Sequence, residues 1–491
     1  MDGGIDDAAL RRFLTGFQQV AEAAAQSVHD GEGVRIAEAV SAHLGVDAGD
    51  LPLVGENVAP VDRVNLQLAL DALVADQPDH VVLGLSPELA HFSSFSASAL
   101  LGGRFHGPAT AVPLSFEELP AGVDRTVRCA RCGVWLLRSD DAPVAVLLVP
   151  NERHGPPGSA SIRVEVIAAD LAVAEATLAD LGRLRWELNV YRGAMLAFTH
   201  SEYGDFGISF VTRPTTSRDE VILPEGHLDS IERHTIGVAE RAEQLTAAGR
   251  HLRRGLLLHG PPGTGKTLTV GYLAAAMPER TVILLQGPSI GALGQAAAIV
   301  HALTPSMLVI EDVDLIAGAR GMPGMDTNPL LFELLNLMDG LAPDADVVFV
   351  LTTNRVDLLE PALAARPGRI DHAVEIERPD GEGRDRLLRL YLDGVDHRVT
   401  DTTAVVELTD GVTASFIKEL VRRAVMGALD DGGAVTDAHL AAAGAALLDA
   451  SSPVLRAMLG AAGDADEADA PPAAGPSGFG YAAGPRVYRR W

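Results

Sequence analysis

The stretch Gly260-Pro261-Pro262-Gly263-Thr264-Gly265-Lys266-Thr267 constrains this chain most, with the apolar run Leu256-Leu257-Leu258 before it and an apolar helical pattern from Leu268 after it. A strand that turns through a glycine-rich loop straight into a helix points a row of backbone N–H groups at one spot. The helix N-terminus adds its partial positive charge there. Such a spot takes phosphate. The glycines allow the tight wrap, Lys266 brings a full charge to the β- and γ-phosphates, and the Thr267 hydroxyl suits a Mg²⁺ ion. Of the 39 basic residues only Lys266 and Lys418 are lysines, so a lysine at this place is not compositional background.

Around this loop, short apolar runs alternate with helical patterns. Runs at 255–259, 281–286, 307–311, 347–352 and 373–377 read as strands of a five-stranded parallel sheet with helices on both faces, an α/β fold. The run Met307-Leu308-Val309-Ile310 ends in Glu311-Asp312. Downstream of a phosphate loop, paired carboxylates at a strand end can hold Mg²⁺ and activate water. Residues 380–450 keep helical periodicity without strand runs and read as a small all-α domain. The tail 451–491 is rich in Ala, Gly, Pro and Asp and reads as flexible and acidic.

Further on, Thr352-Thr353-Asn354 is followed by Leu358-Leu359-Glu360-Pro361-Ala362-Leu363-Ala364-Ala365-Arg366-Pro367-Gly368-Arg369-Ile370-Asp371. This stretch resembles the second region of homology of AAA-type ATPases. Leu334-Leu335-Asn336-Leu337-Met338-Asp339-Gly340-Leu341 and Gly411 to Leu420 are similar to that family too, so the resemblance spans about 217–449. It implies a core at 217–379, a helical lid at 380–450, and hydrolysis of ATP with Mg²⁺. The cradle is then Gly260, Pro261, Pro262, Gly263, Thr264, Gly265, Lys266, Thr267 and Leu268, with Tyr391 and Ala414 near the lid base. Thr267 and Glu311 would hold Mg²⁺. Glu311, Asp312, Asn354, Arg366 and Arg369 would carry the hydrolytic roles. Asn354 is then the sensor of the γ-phosphate or attacking water, and the arginines are fingers reaching the ATP of a neighbouring subunit. Arginine's fixed charge and planar fork suit the spreading phosphoryl charge. Fingers acting in trans imply a ring, and the resemblance implies that it is a homo-hexamer that remodels a protein client.

Three departures qualify the resemblance. The usual Asp-Glu order is inverted to Glu311-Asp312, as in mitochondrial complex III assembly AAA proteins. Ala364-Ala365 adds one residue before Arg366, leaving open which arginine is the finger. Where threading relatives carry an aromatic pore loop, this chain has Gly287 to Gly294, with Ile290 or Leu293 as pore-facing candidates. A nucleotide-gated scaffold or an assembly chaperone with slow hydrolysis therefore stands as an alternative.

The remaining sequence sets broader bounds. At 491 residues the chain has room for about three domains. Residues 1–55 show helical spacing, with Leu10, Phe13, Phe17, Val20 and Ala24 on one face. Residues 56–216 mix strand-like runs and turns, an α+β region suited to choosing a client or adaptor; Asn189 to Thr212 reads as strand pairs leading into the core. A net charge of −27 without a basic patch disfavours a nucleic-acid motor. No apolar run approaches the roughly 20 residues of a membrane span, and the N-terminus lacks a signal-peptide pattern, so a cytoplasmic protein is expected. Cys129 and Cys132 have zinc-knuckle spacing but no second pair, so His106 and His154 would have to complete a site; reduced thiols in a strand turn are the simpler expectation. The terminal Val487-Tyr488-Arg489-Arg490-Trp491 reads as a solvated tail tip.

Overall fold

The computed structural model describes residues 34–86, 97–101, 109–151, 161–200, 206–314, 329–340, 342, 345–356 and 369–449. The amphipathic pattern at 10–24, Arg366, His106, His154 and the acidic tail lie outside them. The chain forms two compact units. The first holds residues up to 216 with 231–257 and 270–373; the second holds 217–230, 258–269 and 374 onward.

In the first unit, the N-terminal region builds an antiparallel sheet. Its strands are β1 (Leu53–Val58), β2 (Val81–Gly84), β5 (Gly133–Ser139), β6 (Ala142–Asn151) and β7 (Ser161–Ala168), in the order β1-β7-β6-β5-β2. A separate hairpin pairs β3 (Phe116–Gly122) with β4 (Arg125–Ala130). Along β6, residues 144–149 are all buried because both sheet faces are covered. Val144, Val146 and Leu148 face a cluster with Leu66 and Leu70 of α2 (Arg63–Val74) and Leu181 of α3 (Leu171–Glu187). Ala145, Leu147 and Val149 face Ile36, Val40 and Leu44 of α1 (Ile36–Leu44). This alternation follows from the two-residue period of a strand. Asp170 starts α3 by accepting the Ala172 N–H at 3.0 Å.

The second sheet orders its strands β14-β10-β13-β12-β11-β8-β9. They are β8 (Met195–His200), β9 (Phe206–Phe210), β10 (Arg254–His259), β11 (Thr281–Leu285), β12 (Ser306–Ile310), β13 (Val347–Thr353) and β14 (His372–Glu375). The five strands expected from the sequence are present. β12 and β13 are buried at every residue, as two-sided cover of a parallel sheet requires. The five-stranded expectation is nevertheless incomplete. β8 adds in parallel to β11, with Val282, Ile283 and Leu284 opposite Met195, Leu196 and Ala197, and β9 pairs antiparallel with β8. Edge pairing is a long-range contact that a local pattern does not encode.

The starts of four strands are tied by charge. Arg254 and Arg280 are 3% and 4% exposed, and both reach Asp346, which immediately precedes β13. Arg254 Nη1 donates to Asp346 Oδ1 at 2.9 Å, and Arg280 Nη2 donates to the other oxygen. The guanidiniums also donate to the carbonyls of Thr235 (3.1 Å) and Ser306 (3.3 Å).

In the second unit, helices α7 (Gly381–Leu392), α8 (Thr403–Leu408), α9 (Ala414–Asp430) and α10 (Asp437–Asp449) enclose a core of Leu388, Phe416, Ile417, Leu420, Val421 and Leu440. (α4 to α6 are Lys266–Ala276, Leu293–Ala302 and Pro329–Gly340.) Asp380 caps α7 by accepting the Gly383 N–H at 2.7 Å. Among the described residues no helix is long and apolar enough to cross a membrane.

Candidate functional site

The glycine-rich loop has the backbone its sequence demands. Gly260, Gly263 and Gly265 take φ values of +138°, +79° and +117°, which side chains with a Cβ rarely adopt. Close approach adds a second demand. A Cβ on Gly260 would stand 2.4 Å from the Ile376 carbonyl oxygen, and one on Gly263 would stand 2.9 Å from Ser415 Oγ. Within the second unit, Ser415 at the start of α9 grips the loop at that point: the Gly263 carbonyl accepts the Ser415 N–H at 3.0 Å and the Ser415 hydroxyl at 3.2 Å. Inside the loop, Thr264 Oγ1 donates to the Pro261 carbonyl at 2.9 Å.

Lys266 is 7% exposed, and its Nζ donates to the carbonyls of Gly260 (2.7 Å) and Pro261 (2.8 Å). The ammonium is thereby held over the loop it opens from. Thr267 and Leu268 are exposed on the first turn of α4, Leu268 at 39%. Beside the loop, Thr264 and Ala414 line a cleft together with Ile222, Pro224, Glu377 and Gly383. Ala414 thus shares this cleft with Thr264 of the loop. Tyr391 does not line this cleft. It packs against the helical core, and burial raises its phenol pKa above the usual value. Segment 222–224 and the turn at 377–383 carry no motif, so sequence reading missed them.

In the first unit, the end of β12 and the end of β13 meet. Asp312 takes a left-handed φ of +50°, an uncommon conformation for a residue other than glycine. Its N–H donates to Thr352 Oγ1 at 3.2 Å, and its carboxylate accepts Asn354 Nδ2 at 3.2 Å. Asn354, expected as the polar sensor, therefore touches one of the two acidic residues directly. Thr353 Oγ1 donates to Asp314 Oδ1 at 2.8 Å. Neither Thr352 nor Asp314 was singled out by the sequence, although the Glu311-Asp312-Val313-Asp314 spacing puts Asp314 within reach.

Arg369 is 7% exposed and engaged within its own chain. Nε and Nη2 fork onto the Asp339 carboxylate at 3.2 and 2.7 Å. The same segment lies against β10. Asp371 N–H donates to the Gly255 carbonyl at 3.0 Å, and a Cβ on Gly255 would stand 2.0 Å from the Arg369 carbonyl oxygen.

One sequence expectation is corrected. Ile290 and Leu293 do not face outward: they are 3% and 0% exposed and belong to the core of the first unit. The loop has tightened into a 3-10 helix over Gly287–Ala292, and the Phe206 ring of β9 would meet a Cβ on Gly291 at 3.0 Å. The two cysteines are free thiols, as the simpler expectation had it, in separate surroundings. Cys129 packs with Val64 and Ala121, whereas Cys132 packs in a different cluster with Ile36 and Val40. Burial pushes the Cys129 thiol up to about 11 and raises Cys132. Among the described residues no group of three or more His, Cys, Asp or Glu could hold a metal.

A strand that delivers a glycine-rich loop into a helix is a phosphate-binding arrangement. Residues 256–378 match the model of the AAA family (ATPase family associated with various cellular activities). The chain is similar to the proteasome-activating nucleotidase of Thermococcus onnurineus, 30% identical over 239 residues, which is 46% of this chain and 59% of that protein. It is also similar to the 26S proteasome regulatory subunit 10B of Dictyostelium discoideum, 31% identical over 189 residues, 36% of this chain and 48% of that protein. The chain thus spans between about half and three fifths of the length of these relatives.

Proposed function

We propose that this chain is an ATP hydrolase. The loop at 260–267 binds the phosphates, and the strand ends at Glu311-Asp312 and Asn354 act on the γ-phosphoryl group. Water attacks the γ-phosphorus, the bond to the bridging oxygen breaks, a carboxylate takes the water's proton, and ADP and phosphate leave. Either Glu311 or Asp312 can supply that carboxylate. Thr267 and Glu311 would hold Mg²⁺, which would supply neutralising charge to the phosphates. The donor set fits such an ion: a hydroxyl and a carboxylate are hard oxygen ligands.

The observation that carries this reading is the contact between Asn354 and Asp312 at 3.2 Å. A carboxylate and a carboxamide side by side at a strand end present one acceptor and one donor to a water and a phosphoryl oxygen. Lys266→Ala is expected to abolish ATP binding in calorimetry; unchanged affinity sinks the assignment.

The reading extends to a homo-hexameric ring that uses ATP turnover to remodel a protein client, with the N-terminal region choosing the client or adaptor, in the cytoplasm and away from nucleic acid and membrane. The names of the similar proteins, a proteasome-activating nucleotidase and a proteasome regulatory subunit, support a protein client. Trans-acting fingers make a direct prediction. Mixing inactive Arg366→Ala or Arg369→Ala protein with inactive Lys266→Ala protein should restore part of the turnover; no rescue at any ratio argues against a shared site. The burial of Ile290 and Leu293 favours a second reading, in which nucleotide gates a scaffold or assembly chaperone without gripping an extended chain.

A further inference from the structure

Asn354 is exposed, yet its carboxamide is aimed, and the aim needs a cause. β13 ends at Thr353, so no strand partner fixes the backbone that follows. The fixing groups are side chains. Thr353 is fully buried, and its hydroxyl accepts the Arg355 N–H at 2.9 Å. That leaves its single proton for Asp314, whose Oδ1 receives it at 2.8 Å. The same Oδ1 accepts the Asn354 backbone N–H at 3.4 Å. One carboxylate oxygen therefore holds both sides of the Thr353–Asn354 peptide. One residue back on β13, Thr352 Oγ1 accepts the Asp312 N–H and the Thr352 carbonyl accepts the Val313 N–H at 2.9 Å, tying down the segment that follows β12.

We propose that Asp314 is a positioning residue for ATP hydrolysis, acting through Thr353 to hold the Asn354 carboxamide against Asp312. The proposal rests on the hydrolase reading above. Asp314 acts through its hold on Thr353 and the Asn354 N–H, setting where Asn354 stands when the γ-phosphoryl group departs. Misplacing a polar group by a fraction of an ångström costs turnover far more than ground-state binding.

The test compares full-length Asp314→Ala, Asp314→Asn, Thr353→Val and the Ala/Val double variant with the wild-type chain. Steady-state ATPase kinetics are read beside the dissociation constant of a fluorescent ATP analogue. Asp314→Ala is expected to lower kcat about tenfold or more with the dissociation constant nearly unchanged. Asp314→Asn keeps an acceptor oxygen at Oδ1 and should recover to within about threefold of wild type. Thr353→Val conserves shape and carries the test alone should Asp314→Ala not fold. It should lower kcat similarly, and the double variant should be no worse than either single change. An unchanged kcat in Asp314→Ala and Thr353→Val overturns the proposal, as does a parallel loss of kcat and nucleotide affinity that Asp314→Asn fails to rescue. A wild-type chain that binds the analogue but turns over no ATP overturns the hydrolase reading itself, and this role with it.

Discussion

Replacing Asp346 by alanine perturbs one atom group and strands two charges. Arg254 and Arg280 are 3% and 5% exposed at their side chains, and the Asp346 carboxylate is the acidic partner of both. Without it the guanidiniums keep only carbonyl acceptors, at Thr235 (3.1 Å) and Ser306 (3.3 Å) among others, and repel one another. Desolvation already presses Arg254 down to about 10, opposed chiefly by Asp346. Removing one member of a buried, hydrogen-bonded charge cluster costs about 3–5 kcal/mol, because the unmatched charge stays buried. Asp346→Asn keeps one acceptor and loses the charge, so its cost should fall between that value and zero. Trp135, 4% exposed in the same unit, reports the transition. Urea unfolding followed by tryptophan fluorescence should show the two variants in that order. A loss below about 1 kcal/mol for Asp346→Ala would falsify the reasoning that these strand starts are held by charge.

Two further outcomes follow from the second unit. Gly263→Ala places a methyl 2.9 Å from Ser415 Oγ at a φ of +79°, so nucleotide affinity should fall about tenfold or more, measured by calorimetry; wild-type affinity would mean the loop is not gripped as described. The Glu419 carboxyl is held down to about 2, from its ordinary 4.5, by hydrogen bonds from Arg422 and Arg423. Because the folded value lies below the unfolded one, its stabilisation is present above pH about 4.5 and is lost as pH falls toward 2. In acid titrations followed by circular dichroism, Glu419→Gln should flatten that loss, and identical profiles would remove Glu419 from it.

The phosphate loop, the acidic strand end and the five core strands were legible in the sequence, because each is a local pattern: glycines at fixed offsets, or an unbroken apolar run. What the sequence hid depends on partners far along the chain. Arg369 carries its motif position openly, but the Asp339 that engages it lies 30 residues away. The loop at 287–294 reads as exposed until Phe206 is known to cover it. Thr352 and Asp314 look ordinary because the contact that gives them meaning joins two strand ends about 40 residues apart.

The β8–β9 pair has a practical consequence for anyone trimming this protein. A chain shortened to start at residue 217 would retain the glycine-rich loop, the carboxylates and the arginines, yet leave β11 as the bare rim of its sheet. Backbone groups at 282–284, now matched by Met195 to Ala197, would then be open to strands from other molecules. Clumping rather than clean catalysis is what such a fragment invites, and the shortest well-behaved version begins upstream of β8.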